Sequence, residues 1–397
     1  MPTIIGVEVA KASILCCKLD GDSVPSDLGA FARSYTPVPL LSNSDGVRKL
    51  LDLGDCYIIE PTGDYSRIWV DTLKANGKTV LRVNPKRVRA LKEYAGIASK
   101  SDRYDAAFLA IYGAMNQGDP SAFLSEYAEE LRNLTLQHQT LSRAINAQQN
   151  RLWQLLSYEW PEACRTKSGT KPQQNREWLQ ASPPALWRFL AGEKVRGATQ
   201  RQASLDETIG SGLSGLSVAL ATQVCDLERQ QFPMEERIDA LVSAPEFAAY
   251  QAVFDKFGFG PMTRAVLLSR IHPFSQFLED GKPIKIRLPS AKVEGRYHRR
   301  DKSLGAFRLA LGNGTRLYQS GQISEQRAAG SKLGRTALYL HVKTKIVIIG
   351  GRLAQPPRLR QHYDYYHQLG EMPHNQAVMK VASRIVKDLY RDLLATL

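Results

Sequence analysis

Cysteine is scarce in this chain. Five cysteines in 397 residues, an odd number with no C-x-x-C spacing, argue against a zinc site and against a disulfide framework. Cys16 and Cys17 are adjacent, and the two-residue period of a strand sends them to opposite faces. Cys56, Cys164 and Cys225 stand alone. The pattern fits a reducing cytoplasm. Long apolar runs are also missing, and none approaches the ~20 residues of a membrane span. The opening Met1-Pro2-Thr3-Ile4 lacks a basic region and a cleavable apolar stretch, so no signal peptide is expected. The seven histidines are scattered. Two of them, His362 and His367, flank Tyr363-Asp364-Tyr365-Tyr366, a cluster that reads as packing rather than ligation.

Acidic residues are the minority charge. Asp and Glu number 39 against 53 Lys and Arg, giving a net charge of +14 and an isoelectric point near 9.5. Such an excess favours a polyanionic partner. With no membrane span in view, nucleic acid is the better partner than an anionic bilayer. The length allows two or three domains, and a hydrophobic content of 43% is enough for ordinary cores.

What acid there is near the start is arranged with purpose. Glu8 lies inside Ile4-Ile5-Gly6-Val7-Glu8-Val9, which reads as a buried strand. Glu60 ends the apolar run Tyr57-Ile58-Ile59 and is followed by Pro61-Thr62-Gly63. Asp102 and Asp105 are three apart in Lys100-Ser101-Asp102-Arg103-Tyr104-Asp105-Ala106-Ala107. Carboxylates at strand ends and a helical i, i+3 pair can converge, and converging carboxylates repel unless a cation lies between them. The expectation is a magnesium site formed by Glu8, Glu60, Asp102 and Asp105. Taken singly, each has a plainer reading. Glu8 fits a carboxylate paired with an arginine equally well, and Asp102 and Asp105 fit a solvated helix start.

Up to about residue 118, strand and helix signals alternate. Strands are expected at Ile4–Val9, Ser13–Leu19, the run ending at Glu60, and Thr79–Val83. The turn signal Asp20-Gly21-Asp22 follows the second of these. Helices are expected at Leu40–Leu53, at Ile68–Asn76 closed by Gly77, and after Asn84-Pro85. An antiparallel hairpin followed by alternating helices and strands predicts an α/β layout with a mixed sheet. Beyond it, Tyr127, Leu131, Leu134, Leu141, Ile145, Leu152 and Leu155 recur at 3–4 spacing, with His138 and Gln148 filling two seam positions. This reads as a coiled coil or long paired helix, a plain bundle helix remaining the alternative. A second stretch, Ile209, Leu213, Leu216, Leu220, Val224 and Leu227, is a candidate antiparallel partner, with Pro233 expected to restart the helix. Lys167–Pro172 reads as an exposed loop.

The last third changes character. Gly258 and Gly260 precede a helix and can present backbone N–H groups to phosphate. Lys282 to Lys302 carries eight Lys or Arg against two acids, with Tyr297 and His298 inside. It reads as a phosphate-binding strip, a solvated loop being the plainer alternative. Ser320-Gly321 is expected in a tight loop, and Arg335 near the start of an amphipathic helix. A serine hydroxyl is a nucleophile only when a base or a metal activates it.

The chain resembles the DEDD-type serine transposases of the insertion-sequence-110 family, which includes the pilin-gene invertases. The residues that carry the resemblance are Gly6-Val7-Glu8-Val9-Ala10-Lys11, Glu60-Pro61-Thr62-Gly63-Asp64-Tyr65, Val83-Asn84-Pro85 and Lys100–Ala106, followed by Gly258–Ala265, Ser320-Gly321 and Gly330–Arg335. The resemblance covers both ends, and the intervening coiled coil is a family trait. One departure is chemical: the family pattern is Gly-x-Asp-x-x-Lys, and here Glu8 holds the acidic position. The extra methylene moves the carboxylate outward, while magnesium demands near-ideal octahedral geometry. A second departure is length: the central region and the 282–302 strip look longer than in compact members.

The resemblance implies a RuvC-like, RNase H-fold domain at 1–118 that binds metal. It implies a helical coiled-coil dimerisation region at 119–244 and a mainly α transposase domain at 245–397 with a serine nucleophile. It implies an RNA-guided DNA transposase or recombinase in which Ser320 forms a phosphoserine link to DNA. Glu8, Glu60, Asp102 and Asp105 would hold Mg2+. Donor and target DNA, a structured non-coding guide (bridge) RNA, and a homodimer or homotetramer are the implied partners. In this family, the two halves of an active site come from different protomers. Lys11, Arg87, Arg89, Lys100, Arg103, Lys282, Lys285, Arg287, Arg296, Arg299, Arg300, Lys332 and Arg335 are the candidate nucleic-acid contacts. The expected location is cytoplasmic and nucleoid-associated. Rival readings stand beside this one: a RuvC-like metal-dependent nuclease such as a junction resolvase, needing only the first domain, or a site-specific invertase; and a catalytically inactive nucleic-acid-binding descendant.

Overall fold

The computed structural model describes residues 3–119, 122–165, 173–176, 179–289, 297–320, 323–348 and 356–397. They form two compact units, Met1–Glu126 and Tyr127–Leu397.

The first unit is built on five strands: β1 (Thr3–Val9), β2 (Ser13–Asp20), β3 (Val38–Leu41), β4 (Cys56–Ile59) and β5 (Thr79–Arg82). Between and after them lie α1 (Leu28–Ser34), α2 (Ser44–Leu53), α3 (Arg67–Ala75), α4 (Pro85–Tyr94) and α5 (Asp102–Met115). The strand order is β3-β2-β1-β4-β5. The β1–β2 and β2–β3 pairs are antiparallel, and β1–β4 and β4–β5 are parallel. This five-stranded mixed sheet is compatible with an RNase H-like fold.

Helix starts follow from short polar caps. Asp27 accepts from the Ala30 N–H and Asn43 from the Gly46 N–H, and Asn84 caps α4 with Pro85 in its first turn. The stretch Leu40–Leu53 is not one helix. Its first residues belong to the edge strand β3, and Asn43 begins α2 only afterwards. Pro39 sits on this edge, where a missing N–H is tolerated. Cys16 and Cys17 do part to opposite faces of β2, each buried in a different apolar cluster.

Those two clusters sandwich the sheet. Ile5, Val7, Val9, Tyr57 and Ile59 pack with Leu50, Trp69 and Leu73 on one face. Ile4 and Ile58 pack with α5 on the other. The second face is unusually close. A Cβ on Gly6 would lie 2.1 Å from the Ala106 carbonyl oxygen and 2.4 Å from the Ala110 nitrogen. Only glycine lets the helix backbone lie directly on β1.

In the second unit, α6 (Glu126–Glu159) leads to α7 (Pro161–Arg165), the ribbon β6 (Gln173–Arg176) and β7 (Leu179–Ser182), α8 (Ala185–Leu190) and α9 (Ala198–Asp206). Then come α10 (Gly215–Val242), α11 (Ala248–Phe257) and α12 (Pro261–Ile271). After these follow β8 (Leu278–Glu279), β9 (Lys282–Pro283), β10 (Lys285–Pro289), β11 (Tyr297–Asp301), α13 (Lys302–Ala310), β12 (Gly314–Ser320), β13 (Ile323–Ala329), α14 (Lys332–His341), α15 (Pro357–Gln368) and α16 (His374–Thr396).

The helices α6 and α10 run antiparallel along a polar seam. Arg237 pairs with Glu130 at 2.7 Å, His138 meets Glu235 at 3.1 Å, Gln231 donates to Ser142 at 2.8 Å, and Gln149 donates to Glu228 at 2.9 Å. Leu131, Ile145 and Leu152 are buried as expected, but Leu156 rather than Leu155 completes the stripe. Ile209 lies before α10 and is 80% exposed. Pro233 neither ends nor restarts the helix. The buried residues Leu220, Val224, Ile238 and Leu241 continue across it, and their packing holds the helix through the missing N–H.

A larger apolar cluster gathers α11, α12, α14 and α16 around Phe254, Phe257, Leu267, Ile385 and Leu389. His362 is buried there, stacked on Phe257 and bonded to Asp388 at 3.1 Å, and His367 contacts the Tyr363 ring. Both act in packing, as their setting suggested. No helix among the described residues is long and apolar enough to cross a membrane.

Candidate active site

The close approach of α5 to β1 places the acidic residues. Gly6 and Glu8 point to the same face of β1, two residues apart. Drawing α5 onto Gly6 therefore brings the first turn of α5 beside Glu8. Glu60 follows β4 directly, two residues beyond Ile58 on that same face, and its carbonyl accepts from the Thr62 hydroxyl at 3.0 Å. Asp102 and Asp105 occupy the first turn of α5, where the N-terminal end of the helix favours negative charge.

Glu8 feels the charges of the other three acids. Burial, together with the charges of Glu60, Asp105 and Asp102, pushes the Glu8 carboxyl up to about 8, and Lys92 pulls the other way. Burial and Asp105 raise Glu60, against the pull of Arg89, Lys92 and Lys100. One Glu8 oxygen, Oε2, is buried without a hydrogen-bond partner. A buried carboxylate oxygen without a partner is costly to ionise unless a cation joins it. Four hard oxygen donors suit a divalent cation such as magnesium. The donor chemistry, though not the spacing of the side chains, suits such an ion. Among the described residues, however, no three His, Cys, Asp or Glu side chains are gathered closely enough to hold one. Asp105 is engaged elsewhere: it forms an ion pair with the Lys92 ammonium.

Lys92 is the functional candidate that sequence reasoning missed. It is 8% exposed and shares the buried side of α4 with Val88. The signal was present, because a lysine stands where the Val88, Leu91, Ala95 stripe calls for an apolar residue.

The candidate nucleic-acid contacts fall into two groups. Around the acidic site, Lys11, Arg89 and Lys100 are exposed. Arg87 donates to the Tyr112 hydroxyl and the Ala122 carbonyl, and Arg103 to the carbonyls of Arg33 and Tyr35, so both brace the first unit internally. In the second unit, Lys282, Lys285, Arg287, Arg299, Arg300 and Lys332 are exposed. Arg335 spends donors on the carbonyls of Gly312 and Ala329. Arg296 lies outside the described residues.

The β10–β11 ribbon sets Arg287 directly opposite Arg299. Like charges directly opposed across strands repel, which favours an anion between them. The β12–β13 ribbon repeats the device, with Arg316 opposite Arg327. The Arg327 guanidinium lies 3.7 Å from the centre of the Tyr318 ring and pairs with Glu325 at 2.5 Å. Ser320 is the last residue of β12, opposite Ile323; Gly321 lies outside the described residues. The structure thus places Glu8 within reach of the charges of Glu60, Asp102 and Asp105 in the first unit and sets Ser320 at a ribbon end in the second. Gly258 closes α11 with a positive φ of 63°, and Gly260 caps α12.

The first unit is thus a mixed sheet, compatible with an RNase H-like fold, that carries two strand-derived and two helix-derived carboxylates. Residues 5–161 match the family model of the DEDD-type insertion-sequence-110 transposases, described as Transposase. That stretch contains all four acidic positions, and the match supports a DNA transposase or recombinase. Comparison with curated proteins gave no match.

Proposed function

We propose that the protein is an RNA-guided DNA recombinase of the transposase class that exchanges strands through a serine–DNA ester. One observation carries this reading: the buried Glu8 carboxyl, raised by burial and by the charges of Glu60, Asp105 and Asp102, lies within the segment that matches the transposase family model.

Ser320 is the proposed nucleophile. Its hydroxyl oxygen attacks a DNA phosphorus, a new Oγ–P bond forms, and the bond from phosphorus to a deoxyribose oxygen breaks. The serine proton passes to the departing oxygen. The phosphoserine ester retains the bond energy, so a hydroxyl from another strand reverses the step without ATP. Magnesium held by Glu8, Glu60, Asp102 and Asp105 would supply Lewis acidity to a phosphoryl oxygen and favour the ionised serine. Arg89 and Lys100, whose charges reach Glu60, draw the phosphate backbone toward the carboxylates. The opposed arginines of β10–β11 grip a second stretch of backbone. They hold phosphate rather than read bases, which leaves sequence to pairing with a structured guide RNA. The working form is a homodimer or homotetramer, acting in the cytoplasm at the nucleoid.

Recombination in cells carrying the intact element tests the reading. Ser320→Ala and Glu60→Gln are each expected to abolish strand exchange. Full DNA cleavage by Ser320→Ala would instead make the protein a metal-dependent nuclease of the resolvase type.

A further inference from the structure

The β12–β13 ribbon has a fixed root and two unlike faces. At the root, Arg335 on α14 donates to the carbonyls of Gly312, just before β12, and Ala329, at the end of β13. A Cβ on Gly312 would lie 1.9 Å from the Ser331 carbonyl oxygen, and one on Gly330 would lie 1.9 Å from the Leu309 carbonyl oxygen. Backbone therefore packs on backbone where the ribbon leaves α13 and enters α14. Residues opposed across an antiparallel ladder share a face, and the faces alternate along each strand. Arg316 opposes Arg327 and Tyr318 opposes Glu325 on one face, while Thr315 opposes Ala328 and Leu317 opposes Gln326 on the other. Every charge in the two strands, with their one aromatic ring, thus falls on a single face. There the Arg327 guanidinium is held in place. It lies 3.7 Å from the centre of the Tyr318 ring and bonds Glu325 through Nε and Nη2. This leaves its Nη1 side for another acceptor. Arg316 and Arg327 are both exposed, and Glu325, the one acid on the face, is already met by Arg327.

We propose that this face seats the DNA strand under attack: Arg316 and Arg327 clamp one of its backbone phosphates a few nucleotides from the bond that Ser320 cleaves. The inference rests on Ser320 being the nucleophile. Two opposed guanidiniums repel one another until a group with several anionic oxygens takes both, and a phosphate does so. Arg316 stands four residues before Ser320 on the same strand, about 13 Å away at the rise of a β-strand. Phosphates of one strand advance about 3.4 Å per step along a duplex, so the clamp sits roughly four steps from the reacting bond. Held there, the strand is fixed in register with the serine while the clamp itself stays clear of the reacting phosphorus. Arg316 and Arg327 are positioning residues in this account, in contrast to the general grip of β10–β11.

The test measures the Ser320–DNA adduct by mass spectrometry in cells carrying the intact element. Alongside it, the purified full-length protein is bound to a random-sequence DNA duplex across a salt series. The double variant Arg316→Ala/Arg327→Ala is expected to lose the adduct by roughly 100-fold. Its duplex affinity should fall only about 10-fold, with the salt slope smaller by about two counterions. Arg327→Lys keeps the charge without the planar fork, so it should restore duplex binding but not the adduct. Gln326→Ala, on the uncharged face, should match wild type in both measurements. Melting temperatures should be unchanged throughout, since these side chains are exposed. Wild-type adduct levels in the double variant would overturn the clamp, and so would an equal loss in Gln326→Ala. Absence of an adduct from the wild type would contradict the Ser320 reading instead. The salt slope then decides the clamp by itself: a drop of about two upholds the phosphate contacts, and no change removes them.

Discussion

At the scale of single residues, buried carboxylates set the pH behaviour. Glu8 is costly to ionise where it stands, since burial and three neighbouring acids raise it to about 8. Neutralising a member of the cluster should relieve the metal-free protein and remove its response to cations. The proposed metal reading predicts that Mg2+ raises the melting temperature of the wild type and that Glu60→Gln abolishes that rise, as read by thermal unfolding with and without chelator. Glu228 on α10 is a second case, remote in kind from the acidic site. Burial raises it from 4.5 to about 7, with the bond from Gln149 opposing and Glu235 adding to the rise. The folded value lies above the unfolded one, so the stability it contributes is complete below about pH 4.5 and is lost as pH rises through about 7. Glu228→Gln should therefore be more stable than wild type near pH 8 by up to about 3 kcal/mol, and equal to it near pH 4, in urea unfolding.

At the scale of elements, α5 is the piece that assembles the site. Its small residues Ala106 and Ala110 meet Gly6 with no space between. Gly6→Ala forces a Cβ against backbone and should destabilise the protein by roughly 1–3 kcal/mol. The check is a lower urea midpoint with unchanged slope. The ribbons yield a different expectation. Arg287→Ala or Arg299→Ala should weaken DNA binding similarly for all sequences and reduce the salt dependence by about one counterion each.

Much of this layer was legible beforehand. The strands β1, β4 and β5 are short apolar runs, the cap at Asn84-Pro85 is a strong local signal, and all four acids could be picked out from their neighbours. The edge strand β3 was not legible, because Val38–Leu41 runs almost directly into α2 and only Asn43 marks the break. The β12–β13 ribbon escaped notice for another reason. It is polar and exposed on both faces, so no period-two pattern betrays it. The α6 seam was misplaced near its end because Leu155 and Leu156 are both apolar, and spacing alone does not choose between them.

At the scale of the whole molecule, the net charge of +14 and the division into two units give the protein two kinds of apparatus. One gathers acids; the other presents basic ribbons and a serine at the end of one of them. Residues 5–161, which include the first kind, match the family model described as Transposase, and the proposed reaction needs both. Its central claim is a covalent bond between Ser320 and DNA. The most direct measurement is mass spectrometry of the protein recovered from cells carrying the intact element, after nuclease and protease digestion. The account predicts a nucleotide-bearing peptide containing Ser320 from the wild type and none from Ser320→Ala. Strand cleavage without any adduct, or an adduct that persists in Ser320→Ala, would contradict it.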